Sequence, residues 1–181
     1  PETASEEVTY QFPRIIPGTY AIADYGRYIA NLKATDDNGN ELSVKRKDVN
    51  TFVIYNAEHL HSITYLVNDT YDSEKGNAFD SKSKTIFSPA GTNILAEKNF
   101  MLNMCGFVGY FSGYKDIPYQ ISIEHPENLL ASSALTDEDA GNTIDRFNIE
   151  RYAEVVDNPI MYSEPDTASF KVNGMDVLIS V

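Results

Sequence analysis

The sequence predicts a mainly β fold, an antiparallel β-sandwich or curved saddle-like sheet with one short helix near the C-terminal end. Three observations carry this expectation. Twelve Tyr and nine Phe stand among many Val, Ile and Thr, and aromatic and β-branched side chains suit pleated, half-buried surfaces. Short apolar/polar alternations recur between Gly, Pro, Asn and Asp turn signals, the pattern of strands joined by tight turns. Helical spacing is convincing in one place, around residue 150. At 181 residues and 42% hydrophobic, the chain reads as a single domain over residues 1–181 with enough apolar area for a core.

Taken in order, "PETASEEVTY" begins polar and becomes strand-like at Val8. Pro17-Gly18 then suits the centre of a type II turn, proline presetting φ and glycine accepting a positive φ, so that "TYQFPRII" turns into "TYAIADYGRY". In that run Asp24 and Arg27 are expected to form a charge-assisted pair at the rim. Asn38-Gly39 predicts a type I′ hairpin. "NTFVIYNA" and "HSITYLVND" are the next strands, Ile63, Tyr65 and Val67 alternating with Thr64 and Leu66.

The stretch "NDTYDSEKGNAFDSKSK" is too polar for a core and reads as a loop, and "TIFSPAGTNI" returns to apolar sequence. "AEKNFMLNMCGFVGYF" is ambiguous: its first half suits a helical turn, whereas Gly106 and Gly109 oppose a helix throughout. "PYQISIEHP" is a strand with one solvated face. In "NIERYAEVVDNP", Ile149, Tyr152, Val155 and Val156 share a helical face, Asn148 is placed to cap it and Pro159 to end it. "ASFKVNGMDVLISV" closes as a hairpin around Asn173-Gly174.

Composition excludes several classes. With 27 acidic and 14 basic side chains the net charge is −13, which repels a phosphate backbone, so nucleic acid is not an expected partner. No run of about 18 apolar residues is present, so no membrane span is expected. Cys105 is the lone cysteine and reads as a small buried hydrophobe. Pro1 is not an initiator, so the chain reads as an excerpt of a longer one, with a strand upstream.

The chemistry-bearing patterns are weak. His59 and His61 form His-x-His on a strand edge, pointing to one side without an adjoining third ligand, and read as surface histidines. "DDNGNE" has its glycine at 39 where an EF-hand loop needs it at position 41, so it reads as a turn. Asp137, Asp139 and Asp145 are oxygen ligands in number only, and a calcium-stabilised adhesion-type domain is a minor alternative to a solvated loop. "SKSK" and "GYFSG" lack the contexts that make such patterns catalytic. Asn68-Asp69-Thr70 is a glycosylation sequon. His-Glu-x-x-His is absent, and no catalytic residue is expected in this chain.

Several stretches in order carry a resemblance: "PRIIPGTY" with "ADYGRY", "FSPAGTNI", "KNFMLN", "GFVGYFSG", "PYQISIEHP" and "YAEVVDNPIMY". Over about residues 10–181 the chain resembles the N-terminal domain of the glycyl aminopeptidase family of zinc metallopeptidases, and the variant is similar to those of Bacteroidetes-type bacteria. Many relatives carry Trp where this chain has Ile15. The resemblance implies a non-catalytic β-domain, with a thermolysin-like catalytic domain and often a PDZ domain elsewhere. Zinc is then expected in the catalytic domain, with no cofactor in this chain.

The implied partners are the protein's own catalytic domain and a peptide substrate. The implied location is the periplasm or cell surface. Gly91, Thr92 and Asn93 are candidates for the rim of the substrate cleft, because a Pro-Ala-Gly-Thr-Asn loop offers backbone and amide groups at a strand connection. Ile160, Met161 and Tyr162 are candidates for the domain interface, since they follow a helix stop. The alternative is a stand-alone β-sandwich module that binds glycan or peptide.

Overall fold

The computed structural model describes residues 6–16, 18, 21–71, 86, 90–138, 141 and 143–180. Among these there are five antiparallel sheets and two short helices; four of the sheets form two two-layer units, the fifth is a terminal hairpin, and no sheet closes into a barrel. The mainly β expectation is met.

The first unit pairs β1 (Glu7–Gln11) between β5 (Thr51–Tyr55) and β9 (Tyr110–Phe111), with β4 (Val44–Arg46) outside β5. Its second layer is β2 (Ile29–Asp36) flanked by β3 (Glu41–Leu42) and β6 (Leu60–Val67). Tyr10, Phe12, Phe52 and Ile54 of one layer meet Ile29, Ala34, Ile63 and Tyr65 of the other in one apolar cluster. Because β5 lies inside its sheet, Thr51 to Ile54 are all buried and the strand reads as a continuous apolar run. In β2 the pairing slips between Ala30 and Lys33, where Asn31 takes φ 54, a bulge that an asparagine tolerates in the left-handed region.

The second unit places β7 (Asn93–Leu95), β8 (Asn99–Leu102), β13 (Ile160–Ser163) and β11 (Leu130–Ser132) in one sheet. Opposite it lies the pair β10 (Tyr119–Glu124) and β12 (Ile144–Ile149). Leu102, Phe147, Ile149, Ile160 and Tyr162 fill the space between them with Tyr152 and Val155 of the second helix. Val156 touches both clusters and ties the units together. A terminal hairpin, β14 (Thr167–Val172) with β15 (Met175–Ser180), stands outside both cores.

The structure differs from the sequence reading at three places. The first helix, α1, is Met104–Phe107, so the helical turn falls in the second half of the ambiguous stretch and the first half is strand β8. Gly106 is accepted inside it because a Cβ there would meet the Tyr25 ring at 3.3 Å, so close packing outweighs helix propensity. The second helix, α2, begins at Tyr152 and ends at Asp157, while Asn148 and Ile149 belong to β12. The alternation Asp145, Phe147, Ile149 buried against Arg146, Asn148 exposed is a strand period that the helical spacing masked.

At the first hairpin only Gly39 is left-handed, φ 81. The Asp36 carboxylate accepts the Asn38 and Asn40 N–H groups at 2.9 and 2.8 Å, an Asx-type turn that replaces the expected type I′. Asn173 and Gly174 do both take positive φ, 49 and 84, as a type I′ turn requires. Gly18 has φ 90, as the expected type II turn asks, and Pro17 lies outside the described residues.

Three tyrosines, Tyr10 and Tyr152 buried and Tyr65 half-buried, hold the segment that crosses from one core to the other. The Gly109 N–H donates to the Tyr10 hydroxyl at 3.0 Å, and Tyr10 and Tyr65 hydroxyls meet at 3.1 Å. Tyr65 donates to the Phe107 carbonyl at 2.6 Å, and Tyr152 donates to the Val108 carbonyl at 2.6 Å. Gly109 has no room for a side chain: a Cβ would lie 2.7 Å from the Gln11 carbonyl oxygen. Tyr65→Phe strands the Phe107 carbonyl and is expected to cost about 1–3 kcal/mol, and Gly109→Ala about 1–3 kcal/mol by overpacking. Urea denaturation of each variant measures this; unchanged midpoints would mean the segment is held elsewhere.

Candidate functional site

The loop expected at a cleft rim is built around internal hydrogen bonds. Ala90 gives its carbonyl to the Tyr25 hydroxyl at 2.6 Å. Gly91 is buried, and a Cβ there would lie 2.6 Å from the Tyr71 hydroxyl and 2.8 Å from Thr70 Oγ1, so only glycine fits. Thr70 donates its hydroxyl to the Thr92 carbonyl and accepts the Thr92 N–H, both at 2.9 Å. Thr92 is fully buried, and its own hydroxyl has no hydrogen-bond partner among the described residues. Asn93 is half-buried at the start of β7. Of the three candidates, Asn93 alone presents surface, because the neighbouring backbone groups are already taken by Thr70 and Tyr25.

Ile160 and Tyr162 are fully buried in the second core, and Met161, on the opposite face of β13, is half-buried beside Met101. Tyr162 donates to the Asp145 carboxylate at 2.5 Å, and His125, stacked on Tyr162 at 4.8 Å, brings Nε2 to 3.4 Å from the same oxygen. Asp145 thus faces the interior, away from the acidic loop in which calcium ligation was weighed. Asp137 accepts the Arg146 N–H at 2.8 Å, and Asp139 lies outside the described residues.

The histidines separate. His59 and His61 are exposed and turn Nδ1 toward Asp37 at 3.7 and 3.5 Å, whereas His125 is buried. Among the described residues no group of three His, Cys, Asp or Glu side chains can hold a metal ion. The sequon is consumed structurally: Asn68 Nδ2 donates to the Tyr28 carbonyl at 3.1 Å, and Thr70 is buried.

Three open grooves mark the described surface, one of them, of about 440 Å³, at Arg27, Arg46, Asp48 and Val49, and two carry more varied linings. One, of about 540 Å³, runs over the solvated face of β10 and β12 at Gln120, Ser122, Arg146 and Asn148. The other, of about 430 Å³, lies between Arg14, Asp24, Asp48, Asn50 and Tyr110. It follows from how the second tyrosine-rich run folds back: the Ala23 and Asp24 N–H groups both donate to the Arg14 carbonyl at 2.9 Å. Asn50 clamps the turn, accepting the Gly26 N–H at 3.0 Å and donating to Asp24 at 2.8 Å.

Arg14, rather than Arg27, stands beside Asp24, at 3.7 Å, and Arg27 lies over the Tyr28 ring at 4.8 Å. The expected Asp24–Arg27 pair fails because Asp24 is left-handed, φ 49, which aims its side chain back toward Asn50. This groove joins four separate stretches of the chain, around Arg14, Asp24, Asn50 and Tyr110, and no local spacing announced it. Within it Arg14 stands against Asp24, and Asp48 accepts the Asn50 N–H at 2.8 Å.

A model of the peptidase M61 N-terminal domain matches residues 1–164. No curated protein matches the sequence. The fold is similar to that of an aminopeptidase N family protein from Idiomarina loihiensis, with a TM-score of 0.81 and 18% identity, covering 99% of this chain and 28% of that one. The molecule is thus a two-core β-domain of the kind found as one part of a larger peptidase. The chain belongs to the peptidase M61 N-terminal domain family. It spans about a quarter of the structural neighbour's length, 28%.

The buried hydroxyl of Thr92 makes Thr92→Val a direct test of the loop. The substitution removes a polar group without a partner, so stability should hold or rise by up to about 1 kcal/mol. A loss above about 1 kcal/mol in urea melts would reveal a partner for that oxygen.

Burial pushes the Cys105 thiol up to about 12 from an ordinary 9.0, and burial also raises the phenols of Tyr10, Tyr25, Tyr152 and Tyr162 above their ordinary 10.0. The folded chain binds these protons more tightly than the unfolded one. The stability they carry is complete below pH 9.0 and is lost as the pH rises, because the unfolded chain ionises first. The melting temperature should hold to about pH 9 and then fall, and Cys105 should react with a disulfide reagent at about pH 8 only in denaturant. Rapid labelling of the folded chain would contradict the burial.

Proposed function

We propose that this chain is the non-catalytic N-terminal β-domain of a glycyl aminopeptidase-like zinc metallopeptidase, of a Bacteroidetes-type variant. It packs on the catalytic domain and helps wall the cleft that admits a peptide's N-terminus. The observation that carries the reading is the family match across residues 1–164. The ordered stretches from "PGTY" to "YAEVVDNPIMY" support the glycyl aminopeptidase subdivision. The domain's contribution is positioning and water exclusion, with zinc held by residues of the catalytic domain. Asn93 and Met161, the surface-retaining members of the two candidate sets, are the positions we assign to cleft and interface. The full-length protein acts in the periplasm or at the cell surface.

The test is hydrolysis of glycyl-p-nitroanilide by the full-length gene product and by residues 1–181 alone. The full-length protein is expected to be active and to lose activity to a chelator, with the isolated chain inert. An inactive full-length product, or one whose activity survives chelation, would sink the reading.

A further inference from the structure

The terminal hairpin carries a second binding surface. β14 and β15 pair in strict register, Ala168 opposite Ile179, Phe170 opposite Val177 and Val172 opposite Met175. Side chains on a strand alternate between faces, so these six share one face, and all six are apolar. The other face holds Thr167, Ser169, Lys171, Asp176, Leu178 and Ser180, with Lys171 and Asp176 ion-paired across the strands at 3.2 Å. Phe170, Met175 and Ile179 are 49%, 66% and 46% exposed.

An isolated two-stranded hairpin is marginal in water, and a contiguous apolar face on it marks a contact site. Ser180, on the other face, bonds the hydroxyl of Ser132 at 2.7 Å, and Ser132 belongs to the edge strand of the second unit. The hairpin is thus fastened to the domain at its base, while Leu178, on the same face as Ser180, is 70% exposed. The hairpin also follows the last residue of the family match, 164.

Size decides what covers it. Six residues at about 3.3 Å span about 20 Å, and two strands are about 10 Å wide with their side chains, so the face offers about 200 Å². A freely associating partner buries about 800 Å² a side, which excludes a second copy or a separate protein held by this face alone. A tethered partner faces no such demand, since linkage supplies an effective concentration in the millimolar range.

We infer that the apolar face of the β14–β15 hairpin is the docking surface for the domain that follows in the same polypeptide, which lays an apolar layer over Phe170, Val177 and Ile179. The hairpin thereby belongs structurally to that domain's core while being joined to this one. The inference rests on the proposed reading that a catalytic domain follows.

Hydrogen exchange by mass spectrometry on the full-length protein and on residues 1–181 tests it. Amides of 168–180 are expected to exchange at least about 100-fold more slowly in the full-length protein, with β1 and β5 equal in both. Phe170→Glu in the full-length protein should return the hairpin toward the isolated-chain rate, and because Phe170 lies outside both cores the rest of the domain stays protected.

Equal hairpin exchange in the two proteins, in a full-length product that is an active peptidase, would overturn this inference and leave the proposed function standing. A full-length product with no folded domain after the hairpin would overturn both. A dimer of residues 1–181 with a protected hairpin would make the occupant a second copy and overturn the inference.

Discussion

The two halves of this domain depend on how the chain crosses between them at Phe107 to Gly109. A crossing between two apolar cores carries backbone N–H and C=O groups away from water, and each group left unpaired there costs as much as a lost hydrogen bond. Tyr10 and Tyr65 from the first unit and Tyr152 from the second meet those groups. Tyrosine suits the task because it brings a large apolar ring and a single polar tip. The crossing segment is satisfied from both sides, so neither unit can shift without exposing a buried polar atom. Twelve tyrosines in a chain this size are therefore more than β-forming bulk.

The same demand shapes the loop before β7. Its backbone groups look available when read as Pro-Ala-Gly-Thr-Asn, but Tyr25 and Thr70 arrive from 65 and 22 positions away to take them. Gly91 is explained by the Tyr71 hydroxyl and Thr70 pressing on its Cα. A glycine needed for close approach and one needed for substrate access look identical in a sequence. Thr92 keeps one oxygen without a partner in the interior, the local inconsistency that a domain built around its neighbours' needs tolerates.

Much of the architecture was legible. The β class, the strand at Thr51–Tyr55, the alternation in β6 and β10, and the closing Asn173-Gly174 hairpin follow from period and turn chemistry that operate within a few residues. The boundary near Ile149 was not, because Phe147, Ile149 and Tyr152 satisfy a strand period and a helical one in succession. Only the ladder to β10 decides between them. Asp24 was read against its near neighbour Arg27, whereas the fold gives it Arg14 and Asn50. After a helix stop, Ile160, Met161 and Tyr162 suited an interface and the core equally, and the fold puts Ile160 and Tyr162 in the core and leaves Met161 half-buried.

By itself the sequence determined that this is an acidic, β-rich domain without a His-Glu-x-x-His pattern, because composition and local periodicity depend on nothing beyond the chain's own order. It also carried the amphipathic face of the terminal hairpin, since a two-residue turn sets the register and the register sets the faces. Tertiary structure alone decided which polar groups remain for a partner. Availability is what is left after long-range hydrogen bonds have been made, and those are chosen by residues that meet only when the two cores close.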